Sequence, residues 1–257
     1  MSIEMKGSTV AAAIQESVGE YVGGVWRSGI VPTRCSVMVG ARPDDLAYER
    51  SAVKRMEGLG LGCEVFELPA TISQAEFDKA FAEVNCNPAI HGILLFRPLP
   101  VQLDDKAACA AIDPRKDIDG VGPINVAKLF SGDESGFSPC TPEAVMELMD
   151  FYGVDVAGKR VVVVGRSLVV GRPLAMLLLK RDATLTICHS KTMDLRKICR
   201  EADILVAAIG RAKMITADYV SEGCAVVDVG IDLDAEGKLC GDVDYDGVAP
   251  RVASITP

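Results

Sequence analysis

Two glycines six residues apart follow four valines in the segment VVVVGRSLVVGRP, residues 161–173. A strand that ends at a glycine, followed by a helix whose N-terminus faces the same point, is an arrangement that binds phosphate. Gly165 would end such a strand and Gly171 would open such a helix. Side-chain donors for phosphate oxygens would come from Arg166, Ser167 and Arg172. Because the spacing is not that of the G-x-G-x-x-G turn, the segment also fits an ordinary strand-to-helix connection.

The end of the next predicted strand bears on which nucleotide would bind. Sites for NAD usually carry Asp or Glu there, which binds the ribose hydroxyls of the adenosine. In ATLTICHSKT, residues 183–192, the strand instead ends in His189, Ser190 and Lys191. Hydroxyls and a cation suit a 2′-phosphate, and no carboxylate is present to repel it. The sequence therefore predicts NADP rather than NAD.

The elements that position these residues alternate between apolar runs and helical patterns along the whole chain. This alternation predicts an α/β fold with mostly parallel sheets. A segment rich in Gly, Ser and Pro, SGDESGFSPCTP at 131–142, interrupts the pattern and is the best candidate for a linker. We therefore expect two α/β domains, 1–138 and 139–257, the second being Rossmann-like and nucleotide-binding.

Composition excludes several classes of protein. A net charge of −9 and an aromatic content of 5% argue against nucleic acid or an anionic membrane surface as partner. Because no export signal or long apolar stretch is visible, a cytoplasmic location is expected. Nine cysteines without a C-x-x-C pair and only two histidines predict reduced structural thiols and no metal site.

Ordered motifs along the chain resemble one known family. GILLFRPLP, KDIDGVGPIN, PCTPEAVMELM, GRSLVVGRP and CHSKT are similar to segments of the bifunctional methylenetetrahydrofolate dehydrogenase/cyclohydrolase family, and the similarity covers essentially the whole chain. The resemblance implies that 1–138 binds tetrahydrofolate derivatives, that 139–257 binds NADP, and that the protein is a homodimer.

The resemblance also implies roles for individual residues. Tyr48 matches the tyrosine that packs against the folate pterin, and Asp119 matches the aspartate that hydrogen-bonds it, so these two are the candidate catalytic residues. Without the family, Tyr48 would be interpreted as a buried core residue and Asp119 as a turn former. Pro98 and Leu99 join them as candidate substrate contacts. The candidate cofactor contacts are Gly165, Arg166, Ser167, Gly171, Ser190 and Ile231.

The chain departs from the family at the residues that serve the hydrolytic step. The family pattern is Tyr-x-x-x-Lys, but the fourth residue after Tyr48 is Ala52. Lys54 is two positions beyond Ala52, rotated about 200° from it on a helix, and points away. Arg55 shares the face of Tyr48, yet a guanidinium is a poor general base.

Two further departures concern the folate pocket. Phe96 stands where the family has the glutamine that supports the lysine, and Arg97 follows it. Family members also have further residues beyond the segment that matches ITP, residues 255–257. We expect those further residues to form part of the wall of the folate pocket.

These departures favour one function over two alternatives. We expect an NADP-dependent methylenetetrahydrofolate dehydrogenase whose cyclohydrolase activity is weak or lost, because Ala52 and Phe96 replace the family's lysine and glutamine. The first alternative is a fully bifunctional enzyme that produces 10-formyltetrahydrofolate. The second is a catalytically silent protein that binds folate or nucleotide.

Overall fold

The chain forms two compact units in the computed structural model, which describes residues 2–40 and 42–257, apart from the side chain of Asp44. One unit consists of residues 12–138, and the other combines residues 139–257 with the start of the chain as far as residue 11. The boundary between the two units lies between residues 138 and 139. The start of the chain differs from the prediction of a first domain over 1–138, because its strand pairs in the sheet of the other unit.

Short strands and helices alternate through both units. The strands are β1 Ile3–Glu4, β2 Thr33–Val39, β3 Gly62–Leu68, β4 Gly92–Leu95, β5 Arg160–Val164, β6 Thr184–Cys188, β7 Ile204–Ala207, β8 Ala225–Asp228, β9 Asp232–Leu233, β10 Leu239–Cys240 and β11 Ser254–Ile255. The helices are α1 Gly7–Trp26, α2 Pro43–Gly58, α3 Gln74–Cys86, α4 Asp105–Ala111, α5 Pro123–Ser131, α6 Cys140–Phe151, α7 Gly171–Lys180, α8 Leu195–Arg200 and α9 Tyr245–Val248. Within the described ranges, no helix is both long and apolar enough to cross a membrane.

The unit containing 139–257 is built on a six-stranded sheet in the order β1-β11-β8-β7-β5-β6. Every pairing in this sheet is parallel. The valines of β5 are buried, as expected for a central strand covered by helices on both faces. Strand β6 lies on one side of β5 and β7 on the other, so the order reverses at β5. In open α/β sheets, ligands bind at the carboxyl ends of the strands at such a reversal.

The unit over 12–138 has a three-stranded parallel sheet in the order β3-β2-β4. Its core joins the sheet to α3 and α4, and Phe77 and Phe81 stack there with ring centroids 5.4 Å apart. Helix α3 begins with a capping box, in which Ser73 and Glu76 each accept from the backbone N–H of the other. Strand β2 is central and almost wholly buried. It therefore fixes the positions of both β4 and the helices that follow the strands.

Candidate functional site

The turn after β5 requires glycine at both positions identified in the sequence. Gly165 has a φ of 137°, which L side chains rarely adopt. A Cβ atom on Gly165 would collide with the carbonyl oxygen of Ala208, and one on Gly171 would collide with the carbonyl oxygen of Gly165. The two glycines therefore let α7 start directly against the end of β5, as a phosphate-binding turn needs.

The hydroxyl of Ser167 closes this turn from within. Its Oγ accepts from the backbone N–H of Val170 at 3.0 Å and of Gly171 at 3.4 Å, while its carbonyl accepts from Arg172 N at 3.0 Å. Arg166 and Arg172 are exposed. The turn thus holds its own backbone in place and leaves two guanidinium groups for an anion.

The parallel sheet brings three predicted cofactor contacts to one edge. Strands β6, β5, β7 and β8 are neighbours, and their carboxyl ends lead into Ser190, Gly165, Ala208 and Ile231 respectively. Ser190 and Ile231 are exposed, Ile231 at 82%. These residues therefore lie along the edge of the sheet where a nucleotide is expected to bind.

The turn after β6 presents polar groups to solvent. His189 N donates to the hydroxyl of Thr192 at 2.8 Å, and Lys191 N donates to His189 Nδ1 at 3.1 Å. These two backbone N–H groups are therefore hydrogen-bonded within the turn. The side chains of Ser190 and Lys191 project into solvent. A hydroxyl and an ammonium there can hold a 2′-phosphate.

Substitution of Gly171 by alanine should distort the turn. Since the colliding atoms are backbone, relief requires a shift of α7 or β5, and overpacking of this kind costs about 1–3 kcal/mol. We expect a lower melting temperature and a KM for NADP raised at least tenfold. Gly7→Ala is the matched control, because a Cβ at Gly7 meets nothing within 4 Å. An unchanged KM for NADP in Gly171→Ala would contradict the role of this turn.

Three carboxylates lie together beside Ile231. Asp242 is wholly buried and accepts from the backbone N–H groups of Ile209 and Arg211, at 2.6 Å each. Asp228 accepts from three backbone N–H groups, including that of Gly230 at 2.8 Å. Asp232 Oδ2 is buried without a hydrogen bond. Burial, together with Asp242 and Asp228, raises the pKa of Asp232.

Asp232→Asn should make the protein more stable at neutral pH. Because its pKa is raised above 3.8 in the folded state, Asp232 stays protonated there at pH values at which it is ionised in the unfolded chain. This proton binding stabilises the fold fully below pH 3.8, and the stabilisation is lost as pH rises through the folded-state pKa. Asparagine does not titrate and can donate to Asp242. We expect the melting temperature of Asp232→Asn to exceed that of the wild type by an amount that grows as pH rises from 3.8 to the folded pKa and is constant above it.

Asp234→Asn is the contrasting variant for that experiment. The pKa of Asp234 is lowered, first by the backbone N–H of Lys238 and then by Lys213, so its carboxylate stabilises the fold above the unfolded pKa. Its substitution should lower the melting temperature at neutral pH. Equal melting curves for wild type and Asp232→Asn at every pH from 4 to 8 would contradict a raised pKa of Asp232 in the folded state.

In the unit over 12–138, Tyr48 and Phe96 lie side by side. Tyr48 is in the second turn of α2 and is 60% exposed. Its ring centroid is 5.9 Å from that of Phe96 in an edge-to-face arrangement, which is a favourable geometry for aromatic pairs. Phe96 immediately follows β4. The two residues therefore form one aromatic surface, and its exposed part is available to a flat ring.

The loop that carries Asp119 is anchored by its neighbour Asp117. Asp117 is wholly buried and accepts from the backbone N–H groups of Val121 at 3.0 Å and Gly122 at 2.8 Å, and from Asn125 Nδ2 at 2.9 Å. A parallel bridge between Ile93 and Asp117 aligns the loop with β4. Asp119, which is half-buried, follows in the turn that the hydrogen bond from Gly120 N to the carbonyl of Asp117 closes at 3.2 Å.

The remaining residues predicted around the folate differ in exposure. Pro98 is exposed, whereas Leu99 is 8% exposed and belongs to the core. Arg97 pairs with Asp105 at 3.3 Å, so its guanidinium already has a carboxylate partner. Ala52 is half-buried, which leaves an aliphatic methyl group one turn after Tyr48. The contacts of Tyr48, Asp119, Pro98 and Leu99 with folate remain predictions.

Comparison with known proteins identifies the family. The model of the tetrahydrofolate dehydrogenase/cyclohydrolase catalytic domain matches residues 5–119, and that of the NAD(P)-binding domain of the same family matches residues 139–257. The chain belongs to the tetrahydrofolate dehydrogenase/cyclohydrolase family. The glycine turn and the sheet edge described above therefore lie in its NAD(P)-binding domain.

Individual members of the family match along the full chain. The bifunctional protein FolD of Carboxydothermus hydrogenoformans is 51% identical over 259 residues, which cover 100% of this chain and 90% of the relative. The crystal structure of FolD from Campylobacter jejuni superposes with a TM-score of 0.97 at 38% identity, covering 100% of this chain and 91% of that one. The FolD of Trypanosoma brucei, complexed with NADP and an inhibitor, has a TM-score of 0.93 at 37% identity and covers 100% and 90%.

Proposed function

We propose that this protein oxidises 5,10-methylenetetrahydrofolate to 5,10-methenyltetrahydrofolate with NADP. The observation that carries the proposal is the pair of sites: a glycine turn at the carboxyl edge of a parallel sheet, and an exposed Tyr48 beside Phe96 in the unit over 12–138. The match of both family domain models supports it. In this proposal residues 12–138 bind the folate and residues 139–257 bind the cofactor.

The protein's own contribution to the oxidation is mainly positional. NADP, when bound, supplies the hydride acceptor, and the lone pair of a folate nitrogen expels the hydride from the one-carbon bridge. Tyr48 would hold the pterin by its ring face, and Asp119 would hold it by hydrogen bonds. Fixing two reactants in a productive geometry is worth roughly 7–11 kcal/mol of the barrier in favourable cases. No acid or base of the protein is needed for this step.

Two interpretations of the following hydrolytic step are each favoured by an observation. Relatives named as bifunctional match the whole chain at about half identity, which favours an enzyme that also opens the methenyl ring to 10-formyltetrahydrofolate. Ala52 and Phe96 favour a weak or absent hydrolytic step, because they remove the base and the amide that tunes it. A positioned acid or base accelerates such a step by roughly 10²–10⁴-fold. The comparisons give the bifunctional interpretation the stronger support.

An absorbance assay separates these outcomes. Purified protein is mixed with methylenetetrahydrofolate and NADP, and NADPH and the methenyl product are followed separately. Formation of NADPH in proportion to enzyme supports the dehydrogenase, and its absence would favour a silent binding protein. Methenyl product that decays at a rate proportional to enzyme identifies the bifunctional enzyme. Methenyl product that decays at the rate seen without enzyme identifies the monofunctional one.

Cofactor choice should depend on Ser190. Ser190→Asp places a carboxylate against the expected 2′-phosphate, so we predict a KM for NADP raised about 100-fold with the KM for NAD changed only a few-fold. Ser190→Asn is the matched control, since it has the size of aspartate without the charge. Equal kinetics with NADP and NAD in the unmodified protein would contradict the preference for NADP.

The homodimer and the cytoplasmic location stay predictions from the sequence and its resemblance.

A further inference from the structure

The helix that carries Tyr48 is attached to its sheet by a charged residue. Glu49 is 4% exposed, and it is the only buried side chain of α2 among those that the structure describes in this helix. Leu46, Val53 and Met56 on the same side are only half-buried. Surface helices ordinarily face the core with an apolar stripe, so the orientation of α2 depends unusually on one carboxylate.

Glu49 is held by two residues of β2. Arg34 Nη2 donates to Glu49 Oε1 at 2.6 Å, and Ser36 Oγ donates to Glu49 Oε2 at 2.9 Å. The side chains of Arg34 and Glu49 are 7% and 5% exposed, and Ser36 is wholly buried. Both carboxylate oxygens are therefore engaged in directional bonds, which fix the rotation of a helix more narrowly than apolar contacts do.

The same strand also positions the partner of Tyr48. The backbone N–H of Phe96 donates to the carbonyl of Val37 in β2 at 3.0 Å, and Val37 follows Ser36 directly. Thus β2 holds Phe96 through its backbone and Tyr48 through Glu49. Both rings of the pair, with centroids 5.9 Å apart, are therefore attached to one strand.

We propose that Glu49 is a positioning residue, which, through its buried bonds to Arg34 and Ser36, sets the placement of Tyr48 for the folate. This inference rests on the proposed function, because it assigns Glu49 a role in that substrate site. On a helix Tyr48 lies about 100° from Glu49, and position 52 lies between them. A small rotation of α2 about its axis therefore moves Tyr48 across the folate surface.

Stability alone does not explain the network. A buried ion pair gains little over well-packed apolar residues of similar volume, and replacement of the whole set is often neutral or stabilising. In addition, Arg34 Nε is buried without a hydrogen bond, which is a further cost of keeping a guanidinium there. What the three polar side chains add is a defined orientation of α2.

The test replaces the complete network, so that no charge is left buried and unpaired. The variant Arg34→Met/Ser36→Ala/Glu49→Leu is compared with Arg50→Met/Glu57→Leu, in which two changes of the same type fall on exposed positions of α2. The measurements are the melting temperature, the KM for methylenetetrahydrofolate, the KM for NADP, and hydrogen exchange of the backbone amides of α2.

The network variant should remain folded with a melting temperature close to that of the wild type. Its KM for methylenetetrahydrofolate should rise at least tenfold, its KM for NADP should stay within twofold, and the amides of α2 should exchange faster. The exposed control should match the wild type in all four measurements. An unchanged folate KM together with unchanged exchange would overturn the proposal.

Two further measurements keep the result unambiguous. If the network variant does not fold, Glu49→Gln, which keeps the shape and one acceptor oxygen, should raise the folate KM about threefold without changing that for NADP, and an unchanged folate KM would overturn the proposal. If the wild type has no dehydrogenase activity, the proposed function fails. Amide exchange, which needs no substrate, then decides whether Glu49 orients α2.

Discussion

Asp119→Ala should lower kcat/KM for methylenetetrahydrofolate by about 10- to 150-fold, the equivalent of one hydrogen bond to a charged group at about 1.5–3 kcal/mol. The reason is that the pterin keeps its polar atoms in the site but loses the partner proposed for them. The KM for NADP should not change. The melting temperature should fall less than in a variant of Asp117, whose carboxylate accepts three hydrogen bonds that hold the loop.

Asp117→Asn provides the opposite pattern two residues away. An amide in place of this wholly buried carboxylate keeps one acceptor oxygen, so its NH2 group would face either the N–H of Val121 or the N–H of Gly122 and Nδ2 of Asn125, all of which now donate to Asp117. We expect a clearly lower melting temperature, with the loss of activity following the loss of folded protein. If Asp119→Ala turned over normally with an unchanged folate KM, Asp119 would be only a turn residue.

The contrast between Asp117 and Asp119 shows that the two carboxylates of the motif KDIDG differ in role. The resemblance assigned a role to Asp119 but none to Asp117, although both are acidic and only two residues apart. Their difference arises from the fold: a parallel bridge to Ile93 turns Asp117 inwards, where Asn125 also reaches it. A sequence shows the two carboxylates, while burial and hydrogen-bond partners separate the structural one from the candidate substrate contact.

The nucleotide half was the more predictable of the two. Four successive valines indicate a strand buried on both faces, and β5 is that strand. The glycines at 165 and 171 indicate a tight turn, and both prove to be sterically required. Such features depend on neighbours in the sequence. The pairing of β1 with β11, which joins residues about 250 positions apart, has no local signal, and the first domain was therefore predicted to begin too early.

The network around Glu49 shows a second limit. Glu49 falls on the stripe of Leu46, Val53 and Met56, and Arg34 and Ser36 alternate along β2. Polar alternation on a strand ordinarily indicates a solvent-facing side. In this protein α2 covers that side, and the polar residues satisfy one another. The stripe could have identified Glu49 as buried, but its partners on β2 are specified only by the packing of the helix.

Ala52→Lys should raise the rate at which the protein hydrolyses methenyltetrahydrofolate by roughly 100-fold, the lower end of the range for a positioned acid or base. Position 52 is half-buried, one turn after Tyr48 and on the same face of α2. A lysine there would be partly desolvated, which lowers the pKa of an ammonium and favours its neutral, basic form. Glu49, three residues earlier, would raise that pKa, but its charge is already compensated by Arg34.

Phe96→Gln should increase hydrolysis further only when the lysine is present. An amide at position 96 can orient the new amine, whereas alone it has no base to support, so the double variant should exceed the sum of the two single ones. Ala47→Lys is the matched control for Ala52→Lys, because it adds the same side chain to an exposed position of α2. It should leave hydrolysis unchanged. Each rate is measured from the decay of methenyl absorbance at several enzyme concentrations. Rapid hydrolysis by the unmodified protein, with no gain from Ala52→Lys, would show that the bifunctional enzyme works without this lysine, and the search for its base would then begin with the groups around Tyr48 and Asp119.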